Sequence, residues 1–240
     1  MIDWLAIDAV VFDIGGVFVI PHPEPIRAAL MRAGICLDAT VDDAFHRAHY
    51  RGARAVADLP MPETDPAFWV EYQRAYLRDI GAVETDLERA TTAWASMREH
   101  DVMSVWRWVQ HDNVAALGRF AAAGVQLAIV SNNDGTAARQ MQAFQVCQVG
   151  PGPLVPVAAI VDSGAVGVAK PDPAIFSPAL AALGTTADRT LYVGDMVHAD
   201  VRGARAAGMP VVQIDPYDFH GDFAHARAPH VAAIADALVG

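Results

Sequence analysis

Five side chains in this sequence stand where alternating α/β chains do chemistry. Asp13 follows the apolar run Ala9-Val10-Val11-Phe12 and precedes Gly15-Gly16. Ser131 follows the apolar stretch Gln126 to Val130, and Lys170 sits in the turn-rich Ala169-Lys170-Pro171-Asp172. Asp195 and Asp200 follow Thr190-Leu191-Tyr192-Val193. Each has an ordinary alternative: an aspartate or serine at such a position also serves as a turn residue or helix cap. All five at one edge is a stronger pattern, and it includes the single lysine of a chain whose other 16 of 17 basic residues are arginine.

The chemistry such a set can do is specific. Two carboxylates, Asp13 and Asp195, at one edge repel each other unless a cation lies between them. Oxygen-only ligands select a hard ion such as Mg²⁺, and the backbone carbonyl of Gly15 is within reach of the same place. The Lys170 ammonium and the Ser131 hydroxyl would then hold a phosphoryl group. A carboxylate aimed in line at that phosphorus can act as a nucleophile, giving an aspartyl-phosphate that water hydrolyses.

The elements that must position these residues follow from the apolar pattern. Ala9–Phe12, Gln126–Val130, Thr190–Val193 and Pro210–Ile214 read as short buried strands. Helices are expected at Asn113–Gly124, Ala174–Leu183 and Asp200–Ala207, the last stopping at Gly208. Strands alternating with helices predict an α/β fold, a doubly wound parallel sheet that binds ligands at the carboxyl ends of its strands. The roughly ninety residues after the first strand read differently, as successive helices at Pro25–Ala33, Pro66–Ile80 and Glu84–Glu99 with no strand pattern. The expected organisation is a core of residues 1–20 and 106–240 carrying a helical cap of residues 21–105. Trp69, Trp94, Trp106 and Trp108 fall in the insert or at its return, as that bundle's own core or as a substrate cage.

Composition narrows the partners. Hydrophobic residues make up 53% of the 240 and charged ones 19%, which excludes intrinsic disorder. A formal net charge of −11 repels nucleic-acid backbones and anionic lipid, so neither is expected as a partner, and an anionic substrate needs a locally positive pocket. Two scattered cysteines, Cys36 and Cys147, form no zinc motif and suggest a reducing compartment. With no basic amino-terminal region before Asp3-Trp4-Leu5 and no apolar stretch long enough to span a bilayer, a soluble cytoplasmic protein is expected.

Phe12-Asp13-Ile14-Gly15-Gly16-Val17, Val130-Ser131-Asn132, Gly167-Val168-Ala169-Lys170-Pro171-Asp172-Pro173 and Gly194-Asp195 with Asp200 five residues on resemble the four ordered motifs of the haloacid dehalogenase-like hydrolase superfamily. The helical insert between the first two resembles that superfamily's C1-type cap. The resemblance implies a Rossmann-like core, an Mg²⁺-dependent phosphohydrolase acting on a small phosphorylated metabolite, and Asp13 as nucleophile. It further implies Ser131, Asn132 and Lys170 as phosphate ligands and Asp13, Gly15, Asp195 and Asp200 around the metal. One position departs. Phosphatases of this superfamily usually carry a second aspartate two residues after the nucleophile as acid/base, and here that position is Gly15. The Asp-x-Gly-Gly-Val form resembles a branch related to sugar-phosphate phosphatases and to amino-terminal domains of bifunctional epoxide hydrolases. His22, Asp134 and His198 are candidates for a substitute acid. Two other readings stand beside the phosphatase: a phosphate-binding regulatory protein with little turnover, and a haloacid dehalogenase. Arg27, Arg51, Arg54 and Arg74 of the insert are candidates for a second anionic group of the substrate.

Overall fold

The computed structural model of the chain describes residues 2–37, 42–98 and 105–240. It divides into two compact units, Met1–Phe18 with Gln110–Gly240, and Val19–Val109. In chain order, β1 (Ala9–Phe12) leads into the second unit. There β2 (Val19–Pro21), α1 (Pro23–Arg32), α2 (Asp42–Val56), α3 (Pro66–Asp79), α4 (Leu87–Arg98) and β3 (Trp106–Val109) follow one another. The first unit resumes with α5 (His111–Ala122), β4 (Gln126–Ser131), α6 (Ala137–Ala143), β5 (Cys147–Val149), β6 (Val155–Val157) and β7 (Ala159–Asp162). It ends with α7 (Ser163–Val166), α8 (Ser177–Leu183), β8 (Thr190–Gly194), α9 (Arg202–Ala206), β9 (Val211–Ile214), β10 (Ala226–Ala228) and α10 (Val231–Val239).

The first unit is an α/β domain on a six-stranded parallel sheet of order β10-β9-β8-β1-β4-β7. All four residues of β1 and all five of β8 are buried. Strands covered on both faces read as continuous apolar runs rather than alternations. β1 lies between β4 and β8, in register Phe12↔Ile129 on one side and Phe12↔Val193 on the other. The chain leaves β1 for one half of the sheet and later returns to the other half. That opens a crevice at the carboxyl ends of β4, β1 and β8, where Ser131, Asp13 and Asp195 stand. Phe12 packs against Phe18 and Phe120, with ring centroids 5.5 and 5.7 Å away.

Helix ends follow the local chemistry. Asp172 caps the 3₁₀ turn Pro173–Phe176 by accepting the Ala174 N–H, and Gly184 ends α8 in the left-handed conformation. The expected helix at 174–183 is therefore a 3₁₀ turn running into α8. The one expected at 200–207 differs more: a π-helical turn, Val197–Val201, precedes α9, so Asp200 lies inside a wide turn rather than at a helix start.

The second unit is helical, as its sequence suggests, but it contains strands that the sequence did not betray. β2 and β3 pair antiparallel, Val19↔Val109 and Ile20↔Trp108, with a bulge at Pro21. This pairing places Val19, Ile20 and residues 106–109 in the second unit. Three- and four-residue segments carrying Pro21 and Trp-Arg-Trp show no period of their own. α2 is a further helix not expected from the sequence; it buries Phe45, Tyr50 and Val56 together with Ala48, His49, Gly52 and Ala53. The segment Glu84–Glu99 resolves into a 3₁₀ turn, Glu84–Asp86, and α4; Glu99 lies outside the described residues. The tryptophans pack within the unit: Trp94 sits edge-on to Tyr76 at 4.8 Å, and Trp69 and Trp106 both meet Tyr72. Arg27, Arg51, Arg54 and Arg74 each take part in an ion pair, with Asp42, Asp79, Asp58 and Glu71 respectively.

Candidate active site

β1, β8 and the loop before α8 bring Asp13, Asp195, Asp200 and Lys170 together in the first unit. The Lys170 ammonium is the hub. It is almost fully buried and lies 3.0 Å from Asp13 Oδ1 and 2.6 Å from Asp200 Oδ1, and it donates to the Tyr192 hydroxyl at 2.8 Å. It donates hydrogen bonds to Tyr192 and Asp200, while Asp13 is its ion-pair partner. A lysine is rarely buried unless paired in this way.

Asp200 is completely buried, and its carboxylate accepts four hydrogen bonds. Oδ1 takes those of Lys170 Nζ and the Tyr192 hydroxyl (2.8 Å). Oδ2 takes the backbone N–H groups of Asp195 (3.0 Å) and Met196 (2.8 Å). The π-helical turn carries Asp200 back to those amides. Gly194 makes room for it, since a Cβ there would overlap the Asp200 carboxylate. Gly16 does the same for Asp195: with φ +66° and no Cβ, its backbone lies directly against the Asp195 carboxylate.

Three carboxylates surround one ammonium. Burial pushes the Asp13 carboxyl up to about 7; Lys170 opposes this, while Asp200 and Asp195 add to it. Burial, with Asp200 beside it, also drives Asp195 well above the carboxylate range against the pull of Lys170. Burial and the same acids raise the Tyr192 phenol, which therefore stays protonated as a donor. One oxygen from each of Asp13, Asp195 and Asp200 lies within 4.8 Å of the others, the one such group of possible metal ligands among the described residues. A buried all-oxygen donor set with excess negative charge fits a hard divalent cation such as Mg²⁺.

Ser131 ends β4, buried, in register with Asp162 of β7. Asp162 fixes the loop that follows by accepting the N–H groups of Gly135, Ala137 and Gly164, each at 2.9 Å. Asn132 turns its amide to the Lys170 backbone: Nδ2 donates to the Lys170 carbonyl (3.0 Å) and Oδ1 accepts the Lys170 N–H (2.8 Å). Its side chain thus splints two loops together. Gly15 follows Asp13 on the same turn, half-buried. Of the candidate acids, His22 caps α1 in the second unit by accepting the Glu24 N–H, and Asp134 accepts the Thr136 N–H in an exposed turn. His198 is buried in the π-helical turn, where burial and Arg202 lower its basicity.

Tyr192 and Asp162 escaped the sequence reading. Tyr192 looks like another apolar strand residue, and its one signal is parity. Side chains two apart share a face, so Tyr192 and Gly194 point the same way, towards Asp200.

Residues 7–208 match the family model described as haloacid dehalogenase-like hydrolase. Over 138 residues the chain is 33% identical to the glyceraldehyde 3-phosphate phosphatase of Methanopyrus kandleri, covering 58% of this chain and 55% of that protein. Over 99 residues it is 37% identical to the phosphoglycolate phosphatase of Rhodospirillum rubrum, covering 41% and 38%. The matches thus span about half or less of these relatives. The crystal structure of a phosphatase from Thermococcus onnurineus superposes over 98% of this chain and 99% of its own, with a TM-score of 0.54 and 17% identity, a likeness of fold.

Proposed function

The chain belongs to the haloacid dehalogenase-like hydrolase family, and on that premise we propose that it is a divalent-metal-dependent phosphohydrolase acting on a small phosphorylated metabolite. The observation that carries the proposal is the buried Lys170 ammonium set between Asp13 and Asp200, with Asp195 beside them at the carboxyl edge of β1 and β8. Asp13, Asp195 and the Gly15 carbonyl would hold a Mg²⁺ ion, which when bound neutralises phosphoryl charge. With four hydrogen bonds already made, Asp200 serves this site by fixing Lys170 and the Asp195 backbone. Ser131 and Lys170 contact the phosphoryl oxygens, and Asn132 acts by holding Lys170.

In this reading an Asp13 carboxylate oxygen bonds to phosphorus as the ester oxygen leaves with its electron pair. Water then attacks the aspartyl-phosphate, releasing phosphate and restoring Asp13. Gly15 has no proton to give the leaving oxygen. General acid assistance is typically worth about 10²–10⁴-fold, so substrates whose leaving oxygen needs little protonation are favoured. The test is released phosphate from a panel of phosphorylated metabolites with and without Mg²⁺, alongside a nitrophenyl and an alkyl phosphate. Metal-dependent release, faster from the nitrophenyl ester and lost in Asp13→Asn, is expected, and Gly15→Asp should narrow the gap. Binding without hydrolysis, unchanged in Asp13→Asn, would mean a regulatory protein instead. Equal rates on both esters would overturn the role given to Gly15.

A further inference from the structure

The Asp195–Met196 peptide is gripped at both ends. Its N–H donates to Asp200 Oδ2, and its carbonyl accepts a 2.7 Å hydrogen bond from Gln213 Nε2. Gln213 is a completely buried amide on β9, in register with Gly194 of β8, so its side chain reaches the residue just past that strand's end. Its other end meets His225 Nε2 at 2.6 Å. A peptide carbonyl only accepts, so the amide nitrogen must face Asp195 and the amide oxygen must face His225. The histidine therefore carries its proton on Nε2. His225 immediately precedes β10, which pairs with β9 in register Arg227↔Gln213. A continuous line of hydrogen bonds thus runs from the edge of the sheet to the backbone that carries the Asp195 carboxylate. Both residues lie beyond the stretch that matches the family model, 7–208.

From this geometry we infer that Gln213 and His225 are positioning residues that set the Asp195 carboxylate for the cation, an inference resting on the metal-dependent reading above. Asp195 has little latitude: Gly16 lies against its carboxylate with no room for a Cβ, so a rotation of its peptide moves the oxygens out of the cluster with Asp13. The outer hydrogen bond orients the amide, and the inner one orients the peptide.

The test uses Mn²⁺ as a probe, titrated calorimetrically into the full chain, with thermal melts in EDTA as a control for folding. Partners that orient metal ligands are typically worth about 10–100-fold in affinity, and Gln213→Leu should weaken Mn²⁺ binding by that amount. His225→Phe, which fills the same space without the donor, should weaken it by a smaller factor. His225→Gln, which restores a donor, should recover most of the loss. Wild-type affinity in Gln213→Leu and His225→Phe would overturn the inference. If Gln213→Leu does not fold, the two His225 variants decide alone. Weakening by His225→Phe that His225→Gln fails to recover would overturn the histidine's part. A wild-type protein that binds no Mn²⁺ would overturn the metal-dependent reading and the inference with it, whereas normal wild-type binding with indifferent variants sinks the inference alone.

Discussion

Replacing Asp13 with asparagine should stabilise the metal-free protein while abolishing turnover. The amide would keep the volume of the aspartate and an acceptor for Lys170, and would be neutral at every pH. In the native protein burial holds the Asp13 carboxyl at about 7, against an ordinary value of 3.8. Between those values the folded chain holds a proton that the unfolded chain has released. Stability without metal therefore falls as pH rises through that window, and nothing is contributed below it. Above pH 7 the cost of ionising Asp13 in the fold is on the order of 4 kcal/mol, and at pH 5 it is less than half of that. For a chain of this size about 1 kcal/mol moves the melting temperature by roughly 2–4 °C, so Asp13→Asn should melt roughly 10 °C above wild type at pH 8 in EDTA. The gap should shrink by more than half at pH 5. Mg²⁺ should raise the wild-type melting temperature and leave the variant nearly unmoved. Melts followed by circular dichroism at both pH values, with EDTA and with Mg²⁺, give all four numbers. A variant that melts at or below wild type at pH 8, or a gap that does not depend on pH, would refute the view that Asp13 is a buried acid held against its own ionisation.

Two further outcomes follow from the same cluster. Tyr192→Phe keeps the ring that packs edge-on to Phe176 at 5.1 Å but removes the hydroxyl joining Lys170, Asp200 and the Val130 carbonyl. Steady-state kinetics should show kcat lowered about tenfold or more with a correctly folded protein, because the hydroxyl's hydrogen bonds to two charged groups, Lys170 and Asp200, are lost; unchanged kcat would show that the two carboxylates hold Lys170 without help. Gly16→Ala puts a methyl into the Asp195 carboxylate at a backbone angle that alanine resists, so the melting temperature and Mg²⁺ affinity should fall together, and a variant with both intact would mean that the turn relaxes freely.

The strand ends were legible because buried parallel strands are bare apolar runs, and each run stops at the residue that faces the crevice. Asp13, Ser131 and Asp195 could be placed from that alone. The π-helical turn could not, since Val-His-Ala-Asp-Val has the apolar content of an ordinary helix start, and the hydrogen bonds that Asp200 accepts from two backbone amides leave no mark in the sequence. β6 carries Pro156 at its centre, which masks a three-residue strand, and the β2–β3 pairing depends on segments nearly ninety residues apart. Asn132 was visible as a motif member, but its engagement with the Lys170 backbone arises only when two loops meet. Gln213 reads as one polar residue inside Val-Val-Gln-Ile, which marks a side chain that needs a partner without saying which.

The charge of the pocket is opposite to the locally positive one that an anionic substrate was expected to need. A chain with formal charge −11 was expected to offset its field locally with Lys170, yet the structure sets that one ammonium among three carboxylates, two of them resisting ionisation. With all three ionised the cluster is negative by two, and it repels a phosphate ester rather than drawing it in. A divalent cation held by these residues would bring the sum to zero and would favour the charged forms of Asp13 and Asp195, which the proposed nucleophile requires. On the proposed reading, therefore, affinity for the phosphorylated substrate and ionisation of the nucleophile are not separate properties of this site. Both would depend on the same occupancy, with Lys170 aligning Asp13 as well as contacting the phosphoryl oxygens.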